Sequence, residues 1–210
     1  MKTASFEIDS LDVKVKPNGK MTYEEFLDWC DEERIVEWVN GDVIMASPAS
    51  AKHQRIGSFL EHILYNYVES QQLGETFRAP FQMKLDFSGR EPDIIYISSP
   101  HLDQIKKVYM EGPADMVIEI ISTESRKRDR KDKFAEYESA GIPEYWLIDP
   151  IRKQAEFYRL GDDGFYHPVP LDAEGKYHSE VIQDFWLKPS WLWQEPLPPV
   201  WEIRKELNLP

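Results

Sequence analysis

Apolar residues recur with two different spacings along this 210-residue chain. Between residues 50 and 74 they return every three or four positions, which predicts one long helix with a buried face. Shorter runs of β-branched and aromatic residues predict strands instead. A second helix is predicted over 125–140, since Gly141 and Pro143 are a common terminating pair. The predicted strands are 76–85, 92–97, 116–121 and 144–148, with a further hairpin of 154–160 and 165–170.

The N-terminal third carries two further local signals. Thr22 and Glu25 form a capping-box pattern, which predicts a short helix ending near Cys30. Asn40 and Gly41 separate two apolar runs, 34–38 and 42–46, and this dipeptide is the strongest short signal for a β-hairpin. The segment 98–113 is mixed and is predicted to be partly helical.

The order helix, three strands, helix, strand predicts the α/β fold class, with a mixed β-sheet flanked by helices. The N-terminal helix and β-hairpin and the C-terminal β-hairpin are additions to this α-β-β-β-α-β core. We divide the chain into an N-terminal arm (1–20), a main domain (21–193) and a tail rich in Pro and Trp (194–210). We interpret the tryptophans near the C-terminus as packing on the sheet or forming a subunit interface. A base-stacking platform is the alternative.

Composition narrows the function classes. The net charge is −13, from 38 acidic and 25 basic residues, which argues against a general nucleic-acid coat whose affinity comes from neutralising phosphates. No apolar run approaches the ~20 residues that cross a bilayer, so we expect no membrane span. The first twenty residues lack the apolar segment of a secretion signal, and a single cysteine, Cys30, forms no internal disulfide. We therefore expect a cytoplasmic protein.

One local basic surface stands out within this acidic chain. Six Lys or Arg residues fall within 126–133, and Arg126, Lys127 and Arg130 are candidate nucleic-acid contacts. The alternative is a solvated helix face whose charge is balanced by nearby acids. A polyanion would therefore meet one selected face rather than the whole surface.

Two apolar strands each carry one acid where a hydrophobic residue is expected. Asp93 follows Pro92, and Glu119 lies within 117–121, where strand alternation sets it on the face opposite Ile118 and Ile120. An ionised carboxylate is costly to bury without a partner, often a metal ion. Two acids from neighbouring strands with one lysine form the minimal set for magnesium-assisted phosphodiester hydrolysis. The alternatives are an arginine partner for Glu119 and a turn role for Asp93.

Lys133 is the candidate lysine. With Asp129 and Tyr137 it forms one stripe along the basic helix, at intervals of four positions. Asp129 four residues before Lys133 is also the favourable order for an ordinary surface ion pair. Glu37 and His53 are weaker candidates, with an exposed strand carboxylate and a helix cap as their respective alternatives.

These residues resemble those of the PD-(D/E)XK, restriction-endonuclease-like superfamily, in particular its Uma-type branch. The resemblance covers about residues 22–193 and implies a magnesium-dependent phosphodiesterase core whose metal-binding positions are Asp93 and Glu119. Ile121 stands where the superfamily usually has its lysine, so the branch is expected to supply it from the following helix, as Lys133. The matching positions are 37–41, His53, 91–93, 117–122, Asp129, Lys133, Tyr137 and 141–150.

The working hypothesis is a metal-dependent endonuclease acting on nucleic acid, with DNA the expected substrate. Asp93, Glu119 and the main-chain carbonyl of Ile120 would hold Mg²⁺, for which Mn²⁺ would substitute, with help from Glu37. Lys133 would orient the attacking water, with Tyr137 supporting it by packing or hydrogen bonding. Asp129 would position Lys133 or the basic helix rather than bind metal. A homodimer is a further hypothesis, because duplex cleavage needs two sites. The alternative function is a catalytically inactive nuclease-fold module that binds DNA or a protein partner.

Overall fold

A computed structural model describes residues 19–30, 36–45, 48–123 and 125–209. Most of the predicted N-terminal arm, residues 1–18, lies outside the described residues. The helices are α1 (Tyr23–Trp29), α2 (Ala51–Gln71), α3 (Phe134–Ser139) and α4 (Val200–Glu206). The strands are β1 (Val36–Val39), β2 (Asp42–Met45), β3 (Gly74–Arg78), β4 (Gln82–Leu85), β5 (Ser88–Arg90), β6 (Ile94–Ser98), β7 (Tyr109–Glu111), β8 (Met116–Ile120), β9 (Glu144–Asp149), β10 (Gln154–Leu160), β11 (Tyr166–Pro168), β12 (Tyr177–His178) and β13 (Trp186–Leu187).

The central sheet has six strands in the order β11-β10-β9-β8-β6-β3. Strand β6 is antiparallel to both of its neighbours, β3 and β8, whereas β8 and β9 pair in parallel. A parallel pair needs a crossover connection, and the helical segment that ends in α3 provides it. Helix α2, strands β3, β6 and β8, helix α3 and strand β9 follow one another in the predicted α-β-β-β-α-β order. The predicted fold class is confirmed, and the β10–β11 hairpin extends the sheet at one edge.

Strand β8 divides the interior into two cores. Ile118 and Ile120 join the larger core beneath α2, while Val117 and Ile121 join the core beneath α3. The predicted alternation is therefore confirmed, and Glu119 lies on the α3 side of the sheet. Helix α2 begins after Ser50, whose side chain accepts a hydrogen bond from the His53 N–H at 3.2 Å.

The C-terminal residues pack on the larger core. Trp191, Ile203 and Leu207 are buried there, as the packing interpretation expected, whereas Trp201 is 57% exposed. The division of the chain after Trp193 stays a prediction. No helix within the described ranges combines the length and apolarity needed to cross a membrane.

One predicted strand, 76–85, is wrong. The structure has two strands there, β3 and β4, which belong to different sheets. The break lies at Pro80, which has no N–H to donate to a ladder. The second sheet has the order β2-β1-β5-β4-β7 and contains the predicted hairpin, with Asn40 and Gly41 at positive φ in its turn.

The regular helix predicted over 125–140 also needs correction. Residues Arg128–Lys133 form a π-helical segment, and only Phe134–Ser139 form the α-helix α3. The stripe of Asp129, Lys133 and Tyr137 is nevertheless buried as a unit. A surface ion pair between the first two is thus excluded. Wide π turns are often found at functional sites, and this one contributes Asp129 and Lys133 to a cavity that Asp93 and Glu119 also line.

Candidate active site

A cavity of about 210 Å³ lies where β6, β8, β1 and the first turn of α2 meet the π-helical segment. The three residues predicted to be catalytic, Asp93, Glu119 and Lys133, all line this cavity. Glu37, His53 and Asp129 line it as well, so the structure brings six of the seven predicted catalytic and supporting residues to one place. Tyr137 lies directly behind them.

Sheet register explains why the two acids meet. Ile94 of β6 pairs with Ile118 of β8, so continuing the antiparallel register by one residue sets Asp93 opposite Glu119. Strand β6 begins only at Ile94, so no residue of β6 is available to accept a hydrogen bond from the backbone of Ile120. The side chain of Asp93 takes that place. The Ile120 N–H donates to Oδ2 of Asp93 at 2.6 Å. This hydrogen bond fixes the Asp93 carboxylate at the strand ends, 23% exposed to the cavity.

Glu119 is held by two donors on one oxygen. Nζ of Lys133 lies 2.7 Å from its Oε1, and the hydroxyl of Tyr137 donates to the same oxygen at 2.8 Å. The alternative that Glu119 pairs with an arginine is excluded by these contacts. Tyr137 was expected to support Lys133 directly, but its hydroxyl is bonded to Glu119, which both side chains hold in place.

Glu37 links the lysine to a second set of charges. Its Oε1 lies 2.8 Å from Nζ of Lys133, and its Oε2 lies 3.1 Å from Nη1 of Arg90. Arg90 also donates to Glu136 through Nε at 2.9 Å. Glu37 is therefore a buried, doubly paired carboxylate rather than an exposed strand residue.

Burial and mutual charge set the protonation of these groups. Burial raises the pKa of Glu119 above its ordinary value, and the nearby charges of Asp129 and Asp93 add to the rise while Lys133 opposes it. Burial also disfavours a charged Lys133, but Glu119 and Glu37 outweigh that effect and raise its pKa. Burial likewise works against an ionised Glu37, yet Lys133 and Arg90 lower its pKa to about 2.

His53 contacts the acid predicted to bind metal. Its Nε2 lies 3.3 Å from Oδ1 of Asp93, and its Nδ1 is buried without a hydrogen-bond partner among the described residues. Burial lowers the pKa of His53, but Asp93 and the backbone of Ile120 outweigh burial and raise that pKa overall. The backbone N–H of His53, not its ring, belongs to the helix cap, so the ring is available to the cavity.

Asp129 approaches the same cavity with an unsatisfied oxygen. Its Oδ1 is buried and has no hydrogen-bond partner among the described residues. Burial raises its pKa, an effect that the charge of Lys133 partly offsets. Lys133 forms its ion pairs with Glu37 and Glu119, so the role of Asp129 in positioning Lys133 or the basic helix stays a prediction.

Glu91 belongs to the cavity wall and did not emerge from the sequence pattern as a site residue. Its Oε1 accepts from Nε2 of Gln82 at 3.2 Å, and Tyr23 in turn donates to Oε1 of Gln82 at 2.8 Å. Its Oε2 is buried and has no hydrogen-bond partner in the described part of the chain. Burial raises the pKa of Glu91 to about 7, and the charge of Glu37 adds to this rise.

The predicted nucleic-acid contacts on the basic segment do not line the cavity. Arg126 lies 3.4 Å from the buried Asp149, and Arg130 forms two hydrogen bonds with Glu156. Lys127 is exposed. Their role in binding stays a prediction. The arginines that do line the cavity are Arg128, which belongs to the predicted basic run, and Arg78 of β3, which no local sequence pattern singled out.

The donor set suits a hard cation. Asp93, Glu119 and the Ile120 carbonyl supply oxygen only, and the unpartnered Oδ1 of Asp129 adds a further acceptor in the cavity wall. No group of three or more His, Cys, Asp or Glu side chains within the described ranges could hold a metal ion by itself. Mg²⁺ retains several waters and is commonly bound through one or two carboxylates, so the residues present fit it.

Comparisons with known proteins agree with this arrangement. A crystal structure titled as that of "a putative nuclease belonging to DUF820" from Anabaena variabilis is 19% identical in sequence, with a TM-score of 0.69. The match covers 82% of this chain and 97% of that chain, and at this identity it shows a shared fold. No curated protein gives a significant match.

A sequence profile gives the family directly. The profile of the Uma2 family, described as "Putative restriction endonuclease", matches residues 23–190. That range holds every residue that lines the cavity, from Glu37 to Lys133. Because the match spans well over half of the chain, the protein belongs to the Uma2 family, and it has a restriction-endonuclease-like fold.

Proposed function

We propose that this protein is a magnesium-dependent endonuclease that hydrolyses phosphodiester bonds of DNA, with Mn²⁺ able to replace Mg²⁺. The observation that carries the proposal is the convergence of Asp93, Glu119 and Lys133 in one cavity, with the lysine ammonium 2.7 Å from Glu119. Family membership supports the nucleic-acid substrate class. The family description names neither DNA nor Mg²⁺, and both are part of this proposal.

Asp93 and Glu119 would hold the metal with the main-chain carbonyl of Ile120. When bound, magnesium polarises a nonbridging phosphate oxygen and lowers the pKa of a coordinated water. The register that sets Asp93 opposite Glu119 brings these ligands from two rigid strands, which limits their movement during the reaction. The Ile120 N–H holds Asp93, and Tyr137 holds Glu119.

Lys133 would act as a fixed positive charge. Its raised pKa keeps it protonated at neutral pH, so it would not accept the proton of the attacking water. An ammonium group has three N–H donors, and its two carboxylate partners among the described residues leave one for water or phosphate. Pre-positioned charge of this kind offsets the negative charge that develops as the phosphodiester is attacked.

Two variants test the metal ligands. Asp93→Asn and Glu119→Gln should each lower the rate of plasmid cleavage in Mg²⁺ by on the order of 100-fold or more, because each removes one anionic ligand. Asp93→Asn should keep the wild-type melting temperature, since an amide oxygen still accepts from Ile120. Wild-type rates in both variants would rule out the proposed ligands. DNA binding without cleavage by the unaltered protein, in Mg²⁺ and in Mn²⁺, would instead indicate an inactive binding module.

The homodimer remains part of the proposal. Cutting both strands of a duplex requires two sites, and one chain supplies one cavity of this composition within its described residues. Sedimentation of the protein with and without a duplex would test it. A monomer in both conditions that still cuts both strands would contradict it.

A further inference from the structure

Arg78, in the cavity wall, has a different environment from the ion-paired arginines of the molecule. Arg90, Arg126 and Arg130 each lie within 4.0 Å of a carboxylate that neutralises them. Arg78 is half-buried, yet no carboxylate lies within that distance of it among the described residues. Its guanidinium donates instead to two neutral oxygens, Oγ of Ser58 at 3.1 Å and Oε1 of Gln54 at 3.3 Å.

The hydrogen bonds of Arg78 to these two neutral acceptors do not offset its charge. In a chain of net charge −13, a half-buried arginine with no acid within 4.0 Å among the described residues is unusual, since acids are its most available partners. Two of its five N–H donors are used, and the others remain for an anion. A planar guanidinium presents these donors in the geometry that suits phosphate.

Helix α2 is shaped around this guanidinium. Gly57 lies on the face of α2 that meets Arg78, and a Cβ at this position would be 3.1 Å from Nη2 of Arg78 and 3.3 Å from Cδ1 of Ile120. Glycine lowers helix stability relative to alanine, so its presence here is explained by the space that the guanidinium occupies. Ser58, the next residue, supplies one of the two neutral acceptors.

Arg78 is also placed close to the reacting groups. It pairs in register with Ile94, the residue after Asp93, and its charge acts on His53. The second arginine of the cavity, Arg128, comes from the π-helical segment, and its charge acts on Asp129 and Glu37. Nε of Arg128 is buried without a hydrogen-bond partner in the described residues, and its nearest acid oxygen, on Asp129, is 4.0 Å away.

We propose that Arg78 and Arg128, which reach the cavity from β3 and from the π-helical segment, are the phosphate-binding residues of this site and hold the DNA backbone beside the acid cluster. This inference rests on the proposed function, because it names the contacts that such a substrate would make in the same cavity. The main electrostatic contact with DNA would then lie in the cavity rather than on the exposed part of the basic segment. Arg78 and Arg128 contact phosphates rather than bases, so the effect of removing them should not depend on DNA sequence.

The test measures affinity separately from cleavage. Anisotropy of a fluorescein-labelled duplex of about 20 base pairs would be followed with Ca²⁺ in place of Mg²⁺, over a range of salt concentrations. Arg78→Gln and Arg128→Gln should each raise the Kd about tenfold and reduce the salt slope by about 0.9. Arg152→Gln is the matched control, since it removes an exposed arginine that does not line the cavity, and its Kd should change less than about twofold.

Gly57→Ala gives a second measurement that keeps the charge in place. The added methyl group displaces the guanidinium while favouring the helix, so the Kd should rise with no loss of melting temperature. If Arg78→Gln melts at a lower temperature than the wild type, its higher Kd could come from unfolding. The Kd of Gly57→Ala then tests the phosphate contact instead. A wild-type Kd in both Arg78→Gln and Gly57→Ala would overturn the proposal.

The outcomes separate this inference from the proposed function. If the unaltered protein cleaves DNA and Arg78→Gln cleaves it with the same kcat and KM, the phosphate contact is wrong and the endonuclease stands. If the unaltered protein binds the duplex through both arginines but never cleaves it, the contact stands and the hydrolysis is wrong. Absence of any duplex affinity in the unaltered protein overturns the contact as well.

Discussion

Nζ of Lys133 lies 2.7 Å from Oε1 of Glu119, although the two residues come from a π-helical segment and a central strand 14 positions apart. Both side chains are almost fully buried, at 2% and 4% exposure. A buried ion pair contributes little net stability, because desolvation offsets most of the attraction. The presence of this ion pair in the interior is therefore better explained by the proposed roles of Glu119 and Lys133 in catalysis than by an effect on folding.

The first prediction concerns that pair. Lys133→Met should abolish measurable cleavage and destabilise the fold by about 3–5 kcal/mol, because Glu119 and Glu37 lose the cation that lies between them. Denaturant unfolding and plasmid cleavage measure the two effects. Adding Glu119→Gln should restore part of the stability but none of the activity, since the double variant no longer buries that unpaired carboxylate. A single variant as stable as the wild type would contradict the ion-pair account.

The second prediction concerns the pH dependence of stability. Glu91 has a pKa of about 7 in the folded protein, above its ordinary value of 4.5, so the folded protein keeps a proton that the unfolded chain releases. Its contribution is fully present below about pH 4.5 and is lost as the pH rises through about 7. Glu91→Gln should therefore leave stability at pH 4 unchanged and raise it at pH 8 by up to about 3 kcal/mol.

Chelator-treated protein is the right sample for this measurement, because a bound metal would change the charge of the cavity. Urea unfolding of both proteins from pH 4 to pH 8 gives the two curves. The glutamine can keep the acceptor that meets Gln82 and replaces the unpartnered Oε2 with an amide. Parallel curves for the two proteins across the whole range would show that Glu91 ionises normally.

Sequence reasoning located the acids because they violate a local pattern. Asp93 and Glu119 each interrupt an apolar strand, and a charge in such a strand must be compensated. Lys133 followed from the helix stripe and the family resemblance. Even the face on which Glu119 lies follows from strand alternation, which the structure confirms. The fold class was accessible for the same reason, since helix and strand periodicities are strong along most of the chain.

The cavity walls could not be predicted in this way. Arg78 reaches the site only because β3 pairs with β6, and the sequence pattern merged β3 with β4 into one strand. Glu91 and Gln82 meet through the second sheet, whose strands are only three or four residues long. The π-helical segment is likewise set by tertiary contacts, because Lys133 binds two buried acids from other elements. The position of Arg78, the contact between Glu91 and Gln82, and the π-helical segment are thus determined by long-range contacts rather than by local propensity.

The third prediction concerns Tyr137. Tyr137→Phe removes the hydroxyl that donates to Glu119 at 2.8 Å, which should cost about 1–2 kcal/mol of stability. The hydrogen bond favours the ionised carboxylate, so its loss should also raise the Mg²⁺ concentration needed for half-maximal cleavage. Tyr166→Phe is a matched control, since that buried hydroxyl donates to the carbonyl of Ile142 outside the cavity. It should lose similar stability with no change in metal dependence, and equal metal dependence in both variants would contradict the role of Tyr137.

The fourth prediction concerns the pH dependence of metal binding. The pKa of Glu119 is raised above its ordinary value, mainly by burial, whereas metal coordination requires the ionised carboxylate. Binding of Mg²⁺ should therefore release up to one proton, and affinity should increase by about tenfold per pH unit until the pH exceeds that pKa. Above it the affinity should level off. Calorimetric titrations in two buffers with different ionisation enthalpies measure the number of protons released. In Glu119→Gln this pH dependence should disappear together with most of the affinity for Mg²⁺. If the affinity of the wild type stays constant with pH, Glu119 is already ionised before the metal binds and the prediction is wrong.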